Sequence, residues 1–333
     1  MKLHKPFGLV MSLCLFLVTL HAQERYEYHH RQMGTQIRLV LYAVTKEKAD
    51  SASKLVFERI DDLNQKLSDY LEGSELNKIC QKPLENIRVS DDMFNILKTS
   101  LYISESTEGY FDVSAGPLID LWRSSRRTKV FPPPDAIASA LEKVGYEHIS
   151  LPRKNTIYLR QREMDLDLGG IGKGYAADEA LKVLSSQNIK SALIDMGGDI
   201  SVSEAPENSK YWTLAFTYFD KDKKEVVQKI RLCNQAVATS GDLYKYVELD
   251  GKRYSHIVDP KTGWALDNGI QVTVIAEDGA TADAMASALS VMGIDKSAKF
   301  LKGREDIKAF MVMSSKDFYQ QWNNAPFDKH TIE

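Results

Sequence analysis

The feature that most constrains the fold of this chain is a change in its hydrophobic pattern at about residue 148. Before that point, apolar residues recur at three- and four-residue steps, which predicts amphipathic helices at 46–67 and after Ser90. After it, short alternating runs predict strands, and the Asp250-Gly251 pair predicts a hairpin turn. Since no repeat or long linker separates the halves, the sequence predicts a single large α+β domain of mostly antiparallel sheets with packed helices.

The ends of the predicted elements follow from capping and turn residues. Ser90 is a good N-cap followed by two aspartates, and Gly109 ends the helix that Ser90 begins. A short helix after the prolines at 132–134 ends at Gly145. The other predicted helices are 173–184 and 281–292, and the predicted strands are 35–44, 155–159, 164–168, 192–195, 211–219, 226–232, 244–249 and 253–258.

The first 22 residues have the layout of a secretory signal peptide. Lys2 and Lys5 precede the uncharged segment 7–20, and the small residue Ala22 follows it. This segment is too short to span a bilayer, which takes about 20 apolar residues. A buried core helix is the alternative interpretation. We expect 1–22 to be removed, which leaves a mature domain of 23–333 and lowers the formal net charge from −3 to −5.

Composition excludes several classes of protein. A hydrophobic fraction of 43% and only 19 Gly and 10 Pro are incompatible with a disordered or collagen-like chain. The 43 basic and 46 acidic side chains argue against nucleic-acid binding as the main activity. Outside the leader, Cys80 and Cys233 lack the spacing of a metal site, and whether they pair is left open. An enzyme, a small-ligand binder and an adhesion module remain.

Three functional interpretations apply to the glycine-rich segment 167–178. A P-loop is excluded because Asp167 occupies its first glycine position and Gly174 follows Lys173, where Ser or Thr is required. The dinucleotide fingerprint GxGxxA fits weakly, with Asp195 as its acid, although the strands that follow are predicted to be antiparallel. In the third interpretation, backbone N–H groups at a helix N-terminus bind an anion together with Lys173. A plain strand-to-helix turn with a solvated lysine is the structural alternative.

Reactive side chains also concentrate in the segment 238–263. His256 has the same parity as Tyr254 and Val258 on the predicted second hairpin strand, and Asp259 ends that strand in an Asp-Pro-Lys-Thr-Gly turn. A single histidine on a strand is more often structural than catalytic, so this segment alone does not establish a site.

A third cluster lies on the helix predicted at 281–292. Asp283 and Ser287 are four residues apart and therefore share one face, where both oxygens can reach one ion. A carboxylate with a hydroxyl suits Mg²⁺, which keeps positions for phosphate and water. The alternative is an acid that only complements the helix dipole.

Taken in order, these segments resemble the FAD:protein FMN transferases, the ApbE family. The resemblance covers about 33–293, and although each motif is weak, the ordered set is highly specific. It rests on Met33-Gly-Thr35, Leu67-Ser-Asp-Tyr70 with Ser74-Glu-Leu76, Gly109-Tyr-Phe-Asp112 with Gly116-Pro-Leu118 and Trp122, Asp167-Leu-Gly-Gly-Ile-Gly-Lys-Gly174, Gly197-Gly198, Ala238-Thr-Ser-Gly241, Ser255-His-Ile-Val-Asp-Pro-Lys-Thr-Gly263, and Ala282-Asp283 with Ser287.

The resemblance implies an ApbE-like, T-fold-like domain that uses FAD as substrate and Mg²⁺ as cofactor. It implies transfer of the FMN moiety to a Thr or Ser hydroxyl of an acceptor protein, with release of AMP. The metal ligands it implies are the main-chain carbonyl of Gly170 and the side chains of Asp283 and Ser287. The implied flavin and nucleotide contacts are Met33, Tyr70, Tyr110, Phe111, Asp112, Asp167, Lys173 and His256.

Two positions depart from the family pattern. Ser287 replaces the usual threonine and lacks the methyl group that restricts its rotamer, and Ser114 also stands where threonine is frequent.

We further expect His256 to accept the proton of the incoming hydroxyl and Asp259 to orient it. Export and the resemblance together predict a periplasmic enzyme, possible association with the inner membrane, and an extracytoplasmic redox subunit as acceptor, with no nucleic-acid partner.

Two other functions are compatible with the sequence. FAD pyrophosphatase activity would give FMN and AMP, with water replacing the protein hydroxyl at the same site. A non-catalytic exported nucleotide-binding module built on the GxGxxA segment would bind NAD without depending on Mg²⁺.

Overall fold

The structure, a computed structural model, describes residues 22–241, 246–315 and 318–332. The predicted leader, apart from Ala22, lies outside the described residues. We number helices and strands in chain order. The helices are α1 Lys46–Leu67, α2 Glu75–Cys80, α3 Asp91–Ser106, α4 Gly116–Thr128, α5 Pro134–Leu141, α6 Gly172–Ser186, α7 Gly279–Phe300 and α8 Ala325–Asp328. The strands are β1 Glu24–Gln32, β2 Thr35–Ala43, β3 Ile87–Arg88, β4 Ile149–Arg153, β5 Thr156–Leu159, β6 Ala192–Asp195, β7 Ile200–Val202, β8 Trp212–Phe219, β9 Glu225–Leu232, β10 Gln235–Gly241, β11 Tyr246–Leu249, β12 Lys252–Ser255, β13 Ile270–Ala276, β14 Lys308–Ser314, β15 Tyr319–Asn323 and β16 Thr331–Ile332.

An eight-stranded sheet forms the centre of the molecule. Its strand order is β1-β2-β6-β7-β10-β13-β14-β15, and every neighbouring pair is antiparallel. Smaller sheets are formed by β3-β5-β4, by β8-β9-β16 and by the hairpin β11-β12. The predicted α+β class with antiparallel sheets is therefore confirmed. The parallel sheet that a GxGxxA dinucleotide fold requires is absent from the described part of the chain.

The two faces of the large sheet are covered differently. One face, which includes Leu39 and Leu41 of β2, packs against α1, α3, α6 and α7 in the main hydrophobic core. The other face, which includes Val40, packs against the three-stranded sheet of β8, β9 and β16. Successive side chains of β2 therefore enter different hydrophobic cores, as expected of a strand that is buried on both faces.

A third, smaller core lies under the hairpin β11-β12. Trp122 of α4 is fully buried there and stacks on Tyr254 of β12 at 5.4 Å between ring centroids. Its indole Nε1 donates to the carbonyl of Gly263 at 2.8 Å. Gly263 has φ of 76°, and a Cβ there would lie 2.6 Å from Ile137, so the turn predicted at 259–263 requires glycine.

Several predicted elements agree with the structure and a few do not. The bounds of α1 and the Ser90 cap of α3 match the prediction, and the predicted end of the 281–292 helix coincides with a break in α7 at Gly293. The strand predicted at 164–168 is wrong, because only an isolated bridge from Asp165 to Ala115 forms there. The second hairpin strand ends at Ser255 rather than at 258, and β10 is absent from the predicted strands.

Two further properties bear on the sequence predictions. Cys80 and Cys233 are both free thiols. Across the described residues, each helix is too short or too polar to cross a lipid bilayer.

Candidate active site

The site is organised by the contact between the N-termini of α6 and α7. Gly174 and Gly279 touch backbone to backbone: a Cβ on Gly279 would lie 2.6 Å from the Gly174 carbonyl oxygen, and a Cβ on Gly174 would overlap the Gly279 carbonyl. Any side chain at either position would push the helices apart. Gly174 and Gly279 are therefore required for helix packing.

Asp178 of α6 holds the first turn of α7 in place. Its carboxylate accepts hydrogen bonds from the backbone N–H of Gly279 at 2.7 Å and of Ala280 at 3.0 Å, and from the Ser201 hydroxyl at 3.0 Å. Burial raises the pKa of Asp178 to about 6, although these N–H groups oppose the shift. Asp178 is not among the site residues predicted from the sequence.

The three predicted metal ligands come together at this helix contact. Asp283 is 5% exposed, and one of its carboxylate oxygens accepts from the backbone N–H of Gly174 at 3.2 Å. Ser287 lies one turn further along α7, and a Cβ on Gly170 would lie 3.1 Å from its hydroxyl oxygen. The same Cβ would lie 3.4 Å from the ring of Phe111. The spacing that predicted a shared face for Asp283 and Ser287 thus places both beside the glycine-rich loop.

The donor set fits a hard divalent cation. Burial raises the pKa of Asp283, while Lys173 and the backbone N–H groups of Gly174 and Lys173 oppose the rise, so a nearby cation would favour its charged form. A carboxylate, a hydroxyl and a main-chain carbonyl are all oxygen donors of the kind that Mg²⁺ prefers. The described residues contain no cluster of three or more His, Cys, Asp or Glu side chains that could hold a metal. A cation held by these groups would keep coordination positions for substrate phosphate and water.

Lys173 has an acidic partner that the sequence analysis missed. Its ammonium group forms an ion pair with Asp199, which is 4% exposed and follows the Gly197-Gly198 turn. In this structure Lys173 therefore links the start of α6 to that turn. Asp195, the acid of the weak dinucleotide fingerprint, accepts from the N–H groups of both glycines of this turn.

Met33 lies at the tip of the hairpin between β1 and β2. Met33 and Gly34 have φ of 51° and 71°, as the two-residue turn between Gln32 and Thr35 requires. A left-handed conformation is unfavourable for a residue with a side chain. In this conformation the Met33 side chain approaches the start of α6, since a Cβ on Gly172 would lie 3.8 Å from the Met33 methyl group.

The segment from Tyr110 to Asp112 combines partly exposed and buried groups. Phe111 is buried beside Gly170, and the Tyr110 hydroxyl accepts from the Lys296 ammonium at 2.7 Å. The Asp112 carboxylate accepts from the N–H and hydroxyl of Ser114 and from the N–H of Tyr146, at 2.7–2.9 Å. Ser114, one of the two departures from the family pattern, thus keeps the hydrogen bond that a hydroxyl supplies.

Tyr70 and Asp167 are joined by Arg123, which the sequence analysis also missed. The Arg123 guanidinium lies 4.4 Å from the centroid of the Tyr70 ring. It donates to Asp69 at 2.7 Å and to Asp167 at 3.3 Å. Burial and the neighbouring Asp69 raise the pKa of Asp167 to about 6, and the Gly169 N–H and Arg123 oppose this shift.

His256 and Asp259 lie beyond the end of β12. His256 is half-buried at the bend that follows Ser255, so the strand parity used to orient it does not apply. One Asp259 carboxylate oxygen accepts from the backbone N–H of Lys261 at 2.9 Å, which fixes the Asp-Pro-Lys-Thr-Gly turn. The role of Asp259 in orienting His256 stays a prediction.

Comparison with known proteins agrees with this geometry. The model of a family described as the ApbE family matches residues 33–311. A FAD:protein FMN transferase of Escherichia coli (strain K12) is 30% identical over 320 residues, covering 94% of this chain and 91% of the relative. A second one, from Vibrio cholerae, is 30% identical and covers 80% of this chain and 81% of the relative.

Solved structures have the same fold. The flavin transferase ApbE from Vibrio cholerae superposes with a TM-score of 0.84 at 27% identity, covering 92% of this chain and 99% of that one. The ApbE protein from Thermotoga maritima gives a TM-score of 0.81 at 28% identity, covering 93% and 100%. With the sequence match spanning the glycine-rich loop, the α6–α7 contact and the hairpin, this chain belongs to the ApbE family.

Proposed function

We propose that this protein is a FAD:protein FMN transferase. It transfers the FMN moiety of FAD to a Thr or Ser hydroxyl of an acceptor protein and releases AMP, in a reaction that depends on Mg²⁺. The observation that carries this proposal is the convergence of Asp283, Ser287 and the Gly170 backbone at the N-terminus of α6. Membership of the ApbE family and the names of the curated relatives support it.

In this proposal the chain binds FAD through groups around the helix contact. The start of α6 favours the pyrophosphate, because the positive end of a helix dipole stabilises negative charge. Lys173 contributes positive charge there while Asp199 fixes its position. The flavin and nucleotide also contact surrounding aromatic, apolar and acidic side chains. These proposed contacts are Met33, Tyr70, Tyr110, Phe111, Asp112, Asp167 and His256.

Asp283, the Ser287 hydroxyl and the Gly170 carbonyl would hold Mg²⁺. When bound, the ion would neutralise charge on the pyrophosphate, which is the main requirement of phosphoryl transfer. Asp283 is suited to this role because its carboxylate is buried and the nearby Lys173 favours its charged form.

The transfer step breaks one phosphorus–oxygen bond and forms another. The acceptor hydroxyl oxygen bonds to the FMN phosphorus, the bond from that phosphorus to the AMP oxygen breaks, and AMP leaves. His256 accepts the hydroxyl proton, and Asp259 orients the imidazole. Positioning of the two reactants supplies much of the rate enhancement, since the step needs no covalent enzyme intermediate.

The decisive experiment incubates the mature chain with FAD, Mg²⁺ and extracytoplasmic proteins, followed by mass spectrometry of fluorescent bands. A covalent FMN adduct on a Thr or Ser supports the transferase. Free FMN and AMP without an adduct would instead indicate the pyrophosphatase, and NAD binding without Mg²⁺ dependence would indicate a binding module.

Two variants test the assigned residues. Asp283→Ala is expected to abolish FMN transfer, whereas Asp295→Ala, which removes the same charge from an exposed position of α7, is expected to retain it. Transfer at the wild-type rate by Asp283→Ala would refute the metal assignment. A His256→Ala variant that binds FAD normally and transfers at the full rate would remove the base role.

We also propose that the chain is exported and acts in the periplasm on a redox subunit there. The basic and apolar layout of 1–22 supports export. Intact-mass measurement of the protein recovered from a periplasmic fraction tests this, since cleavage after Ala22 gives a chain that begins at Gln23. Recovery only in the cytoplasm with an intact N-terminus would contradict it.

A further inference from the structure

The last turns of α4 place two arginines beside Tyr70. Arg123 and Arg126 are three residues apart and lie on one side of the helix. The Arg123 guanidinium lies over the Tyr70 ring and pairs through Nη1 with Asp120 and through Nη2 with Asp69 and Asp167, while its buried Nε has no hydrogen-bond partner among the described residues. The Tyr70 side chain is nevertheless 73% exposed, so a large part of its ring is free for a ligand.

Among the described residues, Arg126 forms none of the ion pairs that hold Arg123. Its Nη1 is buried and has no hydrogen-bond partner within the part of the chain that the structure describes, and no ion pair to Arg126 forms among those residues. Leaving a charged donor buried and unpaired costs more free energy than a neutral one. Burial and the adjacent Arg123 lower the pKa of Arg126, in agreement with a poorly compensated charge. A ligand acceptor would remove this penalty.

The surroundings favour a neutral acceptor over a phosphate. Asp69, Asp120 and Asp167 all form ion pairs with Arg123, so three carboxylates lie near the two guanidinium groups and offset their positive charge. A phosphate would be repelled by these acids, whereas a ring carbonyl or ring nitrogen would not. An exposed tyrosine ring backed by an arginine is also a suitable platform for stacking a flat heteroaromatic ring.

We propose that Arg126 donates a hydrogen bond from Nη1 to an acceptor atom on a planar ring of the dinucleotide that stacks on Tyr70. Arg123 is a positioning residue, which holds the Tyr70 ring against the loop that carries Asp167. This inference rests on the proposed function for its ligand, FAD. Both the flavin and the adenine ring carry such acceptors, and the experiment distinguishes them.

The test compares Arg126→Met with Arg127→Met, which removes the same charge from the next, exposed residue of α4. Titrations with FAD, FMN and AMP are followed by flavin fluorescence or calorimetry. We expect Arg126→Met to weaken FAD binding by about ten- to a hundredfold, the factor typical of a hydrogen bond to a charged group, and Arg127→Met to leave it within about twofold. A parallel loss for FMN assigns the flavin ring, and a parallel loss for AMP assigns the adenine.

Unchanged FAD affinity in Arg126→Met would overturn the inference. Should that variant melt well below the wild type, Arg126→Lys, which keeps the charge but loses the planar donor, is compared with Arg127→Lys. Equal affinities of the two lysine variants would again overturn it. Suppose that the wild-type chain binds FAD more tightly than Arg126→Met does and yet transfers no FMN to an acceptor protein. In that case the transferase proposal fails, while the role of Arg126 in FAD binding is supported. If the wild type binds no FAD, both fail.

Discussion

Ser287 is the residue at which this chain departs most directly from the family pattern. Its hydroxyl lies beside Gly170 and one helical turn from Asp283. Serine provides the same oxygen as threonine but samples more rotamers, because it lacks the second substituent on Cβ. The position therefore keeps the donor that a cation needs while holding it less firmly.

Two substitutions of Ser287, to threonine and to alanine, should change the Mg²⁺ requirement in opposite directions. Ser287→Thr is expected to lower the Mg²⁺ concentration for half-maximal FMN transfer by a few-fold, since less rotamer freedom is lost on binding. Ser287→Ala is expected to raise it by about tenfold or more. The measurement is the transfer rate across a Mg²⁺ titration, and an unchanged midpoint in Ser287→Ala would remove this residue from the metal site.

At the scale of elements, the contact between α6 and α7 determines the geometry of the site. Gly174→Ala would place a methyl group on the Gly279 carbonyl, so the helices must separate. We expect a loss of several kcal/mol of unfolding free energy, or a folded variant without activity. Gly73→Ala is the control, because a Cβ there meets nothing within 4 Å. Denaturant unfolding compares the two, and equal stability would show that the contact is not required.

A second inter-helix contact makes stability depend on pH. Arg59 and Lys66 of α1 both pair with Asp92 of α3, and Arg59 also reaches Glu179 of α6. Burial alone would raise the pKa of Asp92, but the hydrogen bonds from Arg59 and Lys66 lower it to about 2. A depressed carboxyl pKa stabilises the folded state above the unfolded pKa of about 4, and this stabilisation disappears as pH falls toward 2.

Asp92→Asn should therefore lose roughly 1–2 kcal/mol of unfolding free energy at pH 7, after allowance for solvent screening. The difference from the wild type is expected to shrink between pH 4 and pH 3, because the Asp92 carboxylate of the unfolded wild-type chain binds a proton in this range while that of the folded chain does not. Urea unfolding at pH 7, 5, 4 and 3 provides the measurement. A difference that is constant across this range would contradict the role of the Asp92 charge.

Local signals explain which elements and site residues were predictable. The periodicity of 46–67 and the Ser90 cap gave α1 and α3, and four-residue spacing placed Asp283 beside Ser287. The strand expected at 164–168 failed because its backbone bonds go to a loop, as from Asp167 to Val113, which only the tertiary fold determines. The arginine-based contacts were missed for the same reason, since Arg123 meets partners 44 and 54 residues away in sequence.

On the scale of the whole molecule, the near-neutral net charge does not indicate where positive charge is available to a ligand. Without its leader the chain has a formal net charge of −5, so its overall field does not attract an anionic dinucleotide. In the proposed function, binding of FAD would therefore rely on local groups: the N-terminus of α6, Lys173 and a cation at Asp283. The lysine is already paired with Asp199, so a bound cation would be the main added source of positive charge.

This reasoning predicts linkage between FAD, Mg²⁺ and global stability. Ligand that binds only the folded state adds about 2.7 kcal/mol at a hundredfold excess over its dissociation constant, so FAD with Mg²⁺ should raise the melting temperature by about 5 °C or more. Either ligand alone should raise it much less. In Asp283→Ala the Mg²⁺-dependent part of the shift should vanish, while in Asp295→Ala it should persist. Thermal scans with FAD, Mg²⁺, both or neither provide the comparison. If FAD alone raised the melting temperature of the wild type as much as FAD with Mg²⁺, the chain would bind the pyrophosphate without a cation. The proposed need for a cation at Asp283 would then be wrong.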